Sequence, residues 1–397
     1  MKILTGMSSA STAMEAVSEI SAQIQLDRGD LPDFVALHFS LGWALQDIHA
    51  AANSVFGTTA LHGGSSCQGV MTDKGLAMHD GRGMGAFAIW DKEGAYGTAM
   101  VQLSDNPRAA AKMATEMALH NAKREGEAPD LVWLTSAPGC EEQVLEGIKD
   151  VLGHEVIIVG GSSADNDVSG KWGQFTSARV GTDCVIVSVL FPSCAISCAY
   201  ESGYAPTTTS GKVTRVEGRR VYEIDAQPAA TVYSSWTEGS VAEAHNTDLS
   251  ILAASTFFPL GRQSGTLADV PFHLLAHPAT AHPDGSLSLF ANVEPGETLW
   301  LMNGSPDSLV ARAGRVAASS RNDQENDKAC GALVVYCGGC MLAVQDRMSE
   351  VAQGVINALG GAPFLGVFTF GEQGAPHGSE TRHGNLMISC SCFGSPS

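Results

Sequence analysis

The chain predicts an α/β fold of two fused domains whose mixed sheets are built from repeated strand–helix–strand units. Three observations carry this. Short apolar runs suited to buried strands alternate with apolar stripes at spacings of three and four, the mark of amphipathic helices. One such phrase recurs at a fixed interval. Gly-rich turns close the strands, and strand ends are where open α/β sheets usually bind ligands.

In chain order, residues 11–27 read as a helix leading into Gly29-Asp30, and residues 34–39 as a strand. Leu45, Ile48, Ala52 and Val55 stripe a helix closed by Gly57, and residues 58–61 form a strand entering His62-Gly63-Gly64-Ser65-Ser66-Cys67. The phrase returns as a strand at 131–134, a helix striped by Val144, Leu145, Ile148, Val151 and Leu152, and a strand entering Gly160-Gly161-Ser162-Ser163. At a constant offset of 97, Val35 meets Val132, Leu37 meets Leu134, Gly42 meets Gly139, and the two GGSS corners coincide. Hairpin-like pairs follow each unit, 85–90 with 96–103 and 175–180 with 183–190. Between the units, Asp105-Asn106-Pro107 opens a helix.

Residues 206–211, Pro-Thr-Thr-Thr-Ser-Gly, read as a linker, giving domains 1–205 and 212–397. Strands follow, then a helix capped by Ser305-Pro306-Asp307. The last unit opens with the apolar run 332–336 and the turn Cys337-Gly338-Gly339-Cys340. One helix is expected next, striped by Met341, Val344, Met348, Val351, Val355 and Leu359 and stopped by Gly360-Gly361. The run 364–370 then ends in Gly371-Glu372-Gln373-Gly374, with Gly371 set near the Gly64 position.

Composition narrows the functions. Apolar residues make up 44% and charged ones 16%, as in a packed globular protein. A formal charge of −19 argues against nucleic acid or an anionic membrane as partner. No apolar stretch approaches the ~20 residues of a spanning helix. The N-terminus lacks a basic n-region and a long apolar core, so the expectation is a cytoplasmic protein with its ten cysteines kept as thiols.

The second half resembles a known family. Val213-Thr214-Arg215, residues 221–229 (VYEIDAQPA), Phe258-Pro259-Leu260-Gly261, Gly285-Ser286-Leu287, Val293-Glu294-Pro295-Gly296-Glu297, Phe370-Gly371-Glu372 and His383-Gly384-Asn385 together resemble a FIST C domain. The repeated GGSS half is similar to the matching FIST N domain. The resemblance implies a sensory module that binds a small ligand; some members are similar to haem-containing nitric-oxide sensors. Two departures stand out. An Arg that many members place soon after the Cys of the final strand–turn comes later here, at Arg347. No output domain is read in the chain either, so a signal would pass to a separate protein.

Each candidate site has a functional and a structural reading. Gly64, Ser65, Gly161 and Ser162 would either offer backbone and hydroxyl donors to an anion or simply make tight turns. Cys337 and Cys340 form a lone C-x-x-C, redox-active or inert, with no second pair for zinc. Cys67 is the nucleophile candidate, to be activated by His62, His377 or His383; the repeat carries Ala164 in its place. Arg347 would grip a carboxylate or phosphate, or pair with Glu350 on a helix surface. Glu372, His383 and Asn385 sit in a loop able to bind polar ligand groups. His383 and His377 are also iron-ligand candidates for a non-covalent haem, since no C-x-x-C-H attachment occurs. The leading expectation is a small-molecule sensor whose strand-end loops converge on a pocket between the halves. A cysteine enzyme acting on a small polar substrate and a haem gas sensor are the alternatives.

Overall fold

The computed structural model describes residues 1–25, 30–267, 270–321, 329–376 and 379–396. It contains three strand–helix–strand units. Strands Phe34–Phe39 and Ala60–Ser65 pair in parallel around helix Leu45–Phe56, and Leu131–Ser136 and Ile158–Ser162 do so around Glu141–Leu152. Gly331–Cys337 and Phe364–Thr369 form the third pair. Each heads a six-stranded mixed sheet of one plan. An antiparallel strand, Met84–Trp90, Cys184–Phe191 or Met387–Pro396, flanks the parallel pair on one side. On the other side lies a short strand pair that belongs to a different unit.

That exchange is cyclic. The hairpin Val70–Thr72/Gly75–Ala77, which follows the first unit, pairs with the third sheet. Gln174–Phe175, after the second unit, pairs with the first sheet, and Glu372–Gly374, after the third, pairs with the second. The inner faces of the three sheets close on one core holding Phe34, Phe87, Leu131, Trp133, Leu333 and Phe393. Two helices cover the outer face of each sheet: Ala13–Gln23 with Leu45–Phe56, Pro107–Ala122 with Glu141–Leu152, and Pro306–Ser319 with Met348–Ala358. Parallel strands buried on both faces have to read as continuous apolar runs, as these do.

The third repeat, weakly marked in sequence, is therefore present. Its register differs from expectation. Gly63 faces Phe175 and Gly366 faces Met71 across equivalent ladders, so Gly366 and not Gly371 takes the corner-glycine place. A Cβ on either would collide with the facing side chain. The corner residues also bond around the ring: Cys67 N–H donates to Phe368 O (2.9 Å), Ala164 N–H to Ser65 O (3.1 Å) and Phe370 N–H to Ser162 O (3.0 Å).

Four local expectations change. The segment 206–211 is not a linker but lies inside strand Ala205–Glu217, whose residues alternate in exposure as in a ladder open on one face. The expected strand 175–180 reduces to Gln174–Phe175 and Val180–Gly181. Lys2–Ser8 is an edge strand that sequence reasoning left unassigned. The single helix expected from 341 breaks into Gly338–Ala343, a 3-10 turn and Met348–Ala358. The break at Val344 keeps Met341 and Met348 in the same core.

Residues 205–303 build a separate β-layer whose long sheet runs from Leu249–Ser250 to Val270–Ala276 around its own core of Val213, Val221, Ile224, Leu260 and Leu299. The boundary read at 205/212 falls where this layer begins. Strands from both sides of it share sheets, since Cys194–Ser202 pairs with Met387–Pro396. No helix among the described residues is long and apolar enough to cross a membrane.

Candidate functional site

A cavity of about 600 Å3 lies where the β-layer meets the second and third units. Leu252, Thr256, Phe257, His277 and Phe290 wall it from the layer. Glu141 and the loop carrying Trp172 close it from the second unit, and Cys337, Gly339, Phe370 and Asn385 from the third. The lining is mainly apolar and aromatic with a few polar groups, the usual make-up of a small-molecule site of 300–1,000 Å3.

The polar groups are anchored. Glu141 opens helix Glu141–Leu152, its carboxylate buried; Oε1 accepts from Ser162 Oγ (2.7 Å) and Oε2 from Arg219 Nη2 (2.6 Å). The same Nη2 donates to Glu142 Oε2 (2.6 Å), while Asn292 N–H donates to Glu142 Oε1 (2.8 Å). Burial opposes ionisation of both acids, but His383 and Arg219 more than offset it. Glu141 is held below the usual carboxylate range and Glu142 at about 2. One guanidinium from the β-layer is thus shared by two carboxylates of the second unit. Opposite it, His277 sets Nε2 against Leu252 O (3.1 Å), and its backbone N–H donates to Asn385 Oδ1 (3.0 Å). Burial pushes the His277 imidazole down to about 4, so the ring is neutral.

The structure brings together some of the sequence candidates and separates others. Asn385 and Cys337 line the cavity. Ser162 touches it through Glu141. Gly161 is a packing glycine, where a Cβ would collide with Thr369. Glu372 is fully buried behind Gly371, accepting from Thr369 Oγ1 (2.9 Å), Gly371 N–H (3.1 Å) and Met387 N–H (3.0 Å). Burial drives its carboxyl well above the usual range. Gly64 and Ser65 do not line the cavity. Gly64 packs against Thr135 and His38, and Ser65 Oγ accepts from Gly173 N–H (3.0 Å). Arg347 lies on the surface, paired with Glu350 (2.9 Å) and Asp307 (2.6 Å), because the break at Val344 turns it away from the strand ends.

The three cysteine candidates lack the setting of a nucleophile. Cys67 is buried, and burial with nearby Asp165 pushes its thiol up to about 12. His62, proposed to activate it, is bonded instead to Ser188 Oγ (2.8 Å) and Thr135 Oγ1 (2.7 Å). Burial and the neighbouring Cys340 drive the Cys337 thiol well above its ordinary value. Cys340 is buried with its sulfur 3.6 Å from Tyr204 Oη. His383 does not suit iron: Nδ1 meets Gln373 Nε2 (3.3 Å) and Nε2 meets Phe290 O (3.1 Å), so both ring nitrogens are engaged. Among the described residues no group of three His, Cys, Asp or Glu side chains converges on a metal site. His377 lies outside the described residues.

Glu141, Arg219, His277 and Trp172 were missed. Glu141-Glu142 reads as an ordinary acidic first turn of a helix, and Arg219 and His277 sit in strands and turns of a region with no repeat to mark them. The available signal was the pair Glu141-Glu142 falling directly after a strand-end turn, with Gly139 already aligned to Gly42.

A FIST N domain model matches residues 33–227 and a FIST C domain model residues 229–375. An uncharacterised protein of Methanocaldococcus jannaschii is 38% identical over 88 residues, 22% of this chain; the match spans only 17% of that protein. Among solved structures, cyanuric acid hydrolase from A. caulinodans aligns over 99% of both chains at 10% identity with a TM-score of 0.39. PurLQS from Thermotoga maritima aligns over 76% of this chain and 72% of its own at 9% identity and 0.24.

Proposed function

Because the chain belongs to the FIST family, whose domains are associated with small-ligand sensing, we propose that it is a sensory protein whose ligand occupies the cavity beneath the β-layer. The observation that carries this is the cavity itself: about 600 Å3, walled by aromatic and aliphatic side chains, with Arg219 of one part bonded to Glu141 and Glu142 of another at its edge. Arg219, Phe290 and Asn385 all make bonds that tie the layer to the rest of the chain around this space. A ligand there bears directly on how the layer is seated. In this reading a separate signalling protein senses that seating, and the protein works in the cytoplasm, where its ten free cysteines remain reduced.

A thermal-shift screen of small neutral and charged compounds tests the site. A ligand at a hundred times its Kd stabilises by about 2.7 kcal/mol. Ala343→Trp, which fills the cavity from the third unit, should fold and lose the shifts. Equal shifts in both proteins would place binding elsewhere and end the proposal.

A further inference from the structure

We infer that the cavity takes a neutral, ring-sized apolar ligand whose hydroxyl or N–H group donates to Nδ1 of His277. This rests on the cavity being the ligand site. His277 is 3% exposed and lines the cavity. Its Nε2 sits 3.1 Å from Leu252 O, a carbonyl that can only accept, so Nε2 carries the ring proton and Nδ1 presents a lone pair. Among the described residues Nδ1 has no hydrogen-bond partner. Unlike both ring nitrogens of His38, it is not sealed away from contact either. The edge bearing Cε1 lies toward Gly339, where an added Cβ would make ordinary van der Waals contact with it at 3.8 Å. An acceptor left open on a ring that is otherwise buried offers a ligand donor a place to bond.

Asn385 supplies the complementary half. Its Oδ1 is fixed by the His277 backbone N–H, and its Nδ2 has only contacts of 3.5 Å, to Phe290 O and His383 Nε2. A ligand hydroxyl that donates to His277 keeps lone pairs able to accept from an amide donor such as Asn385 Nδ2. Charge excludes an anion. Among the described residues lining the cavity Arg219 is the guanidinium, and it is already shared by Glu141 and Glu142, so a carboxylate entering here would meet two others. Phe257, Phe290 and Trp172 offer flat faces for the apolar body.

Calorimetry at neutral pH with three probes of one shape, naphthol, methoxynaphthalene and naphthoate, decides it. Naphthol should bind about tenfold tighter than methoxynaphthalene, which lacks the donor, and naphthoate should not bind measurably. In His277→Phe the two neutral probes should bind alike. Methoxynaphthalene matching naphthol, or naphthoate binding best, in the unmodified protein overturns the inference whether or not the variant folds. Binding without that order, abolished by Ala343→Trp, leaves the cavity as ligand site and removes only the donor assignment. Binding of none of the three overturns the donor assignment too, while the compound screen still tests the cavity.

Discussion

Among the described residues, two of the buried polar clusters are built in opposite ways. One sits within the first two sheets: His38 and His62 stack with ring centroids 6.0 Å apart, His38 meets Trp133 edge-on, and His62 is bonded to Ser188 and Thr135. The other is Glu141, Glu142, Arg219, His277 and Asn385 around the cavity. The first is sealed, with both His38 nitrogens and Trp133 Nε1 enclosed and unpartnered. The second is opened by the β-layer, which brings its own charge and imidazole to the space. Related strand–helix–strand units thus yield a closed polar interior in one place and an accessible wall in another. Burial of polar groups does not mark the candidate site; access does.

The largest effect should come from breaking the open cluster. Arg219→Ala leaves Glu141 and Glu142 facing each other, one fully and one largely buried, without their cation. Removing one member of a buried ion pair costs about 3–5 kcal/mol, and the 19% exposure of Arg219 puts the expectation near the lower end. Urea unfolding measures it. A cost below about 1 kcal/mol would mean the cluster is solvated like a surface pair.

The sealed cluster should instead set the acid limit. Burial pushes His38 from 6.5 to about 3 and His62 well below 6.5. Both bind protons more weakly folded than unfolded. Their contribution is therefore fully present above pH 6.5 and is lost as pH falls toward 3, by up to about 1.4 kcal/mol per pH unit for each ring. Unfolding free energies measured between pH 7 and 4 should drop more steeply in the unmodified protein than in His38→Phe. Parallel slopes would show that His38 is not buried as a neutral ring.

Comparing equivalent serines gives a smaller contrast. Ser162→Ala removes a hydrogen bond to ionised Glu141 and should cost about 1.5 kcal/mol and weaken naphthol binding several-fold. Ser65→Ala removes a bond to the Gly173 N–H, costs about 1 kcal/mol, and should leave naphthol binding unchanged. Equal losses of binding at both positions would make the cavity sensitive to any corner and blur the distinction between the clusters.

The units were legible because their physics is local. Strands buried on both faces must be apolar runs, helices on one face must be striped, and Gly63 and Gly160 recur because facing side chains and backbone leave no room for a Cβ. What the sequence hid is non-local. Nothing in residues 70–77 says that they complete the third sheet, or that Gln174–Phe175 completes the first. The cavity was hidden for the same reason: Glu141, Arg219 and His277 come from parts of the chain that only the finished fold brings together. Asn385 and Cys337 were found because both sit at strand-end turns of the last unit, where chemistry was already expected.

Arg347 gives the smallest effect and tests that lesson most directly. The family resemblance favoured a ligand-gripping role, although Arg347 comes later after Cys337 than the Arg that many members carry. Its spacing from Glu350 favoured an i,i+3 pair, and the structure has that pair, with Asp307 added from the start of helix Pro306–Ser319. All three side chains are open to solvent, at 35%, 54% and 89% exposure, so the charges are screened and the side chains pay entropy to stay together. Arg347→Ala should leave the melting temperature and naphthol binding where they were, at low salt and high. A loss of binding in that variant, with stability unchanged, would return Arg347 to the site and require the segment Gln345–Arg347 to turn inward when ligand is bound.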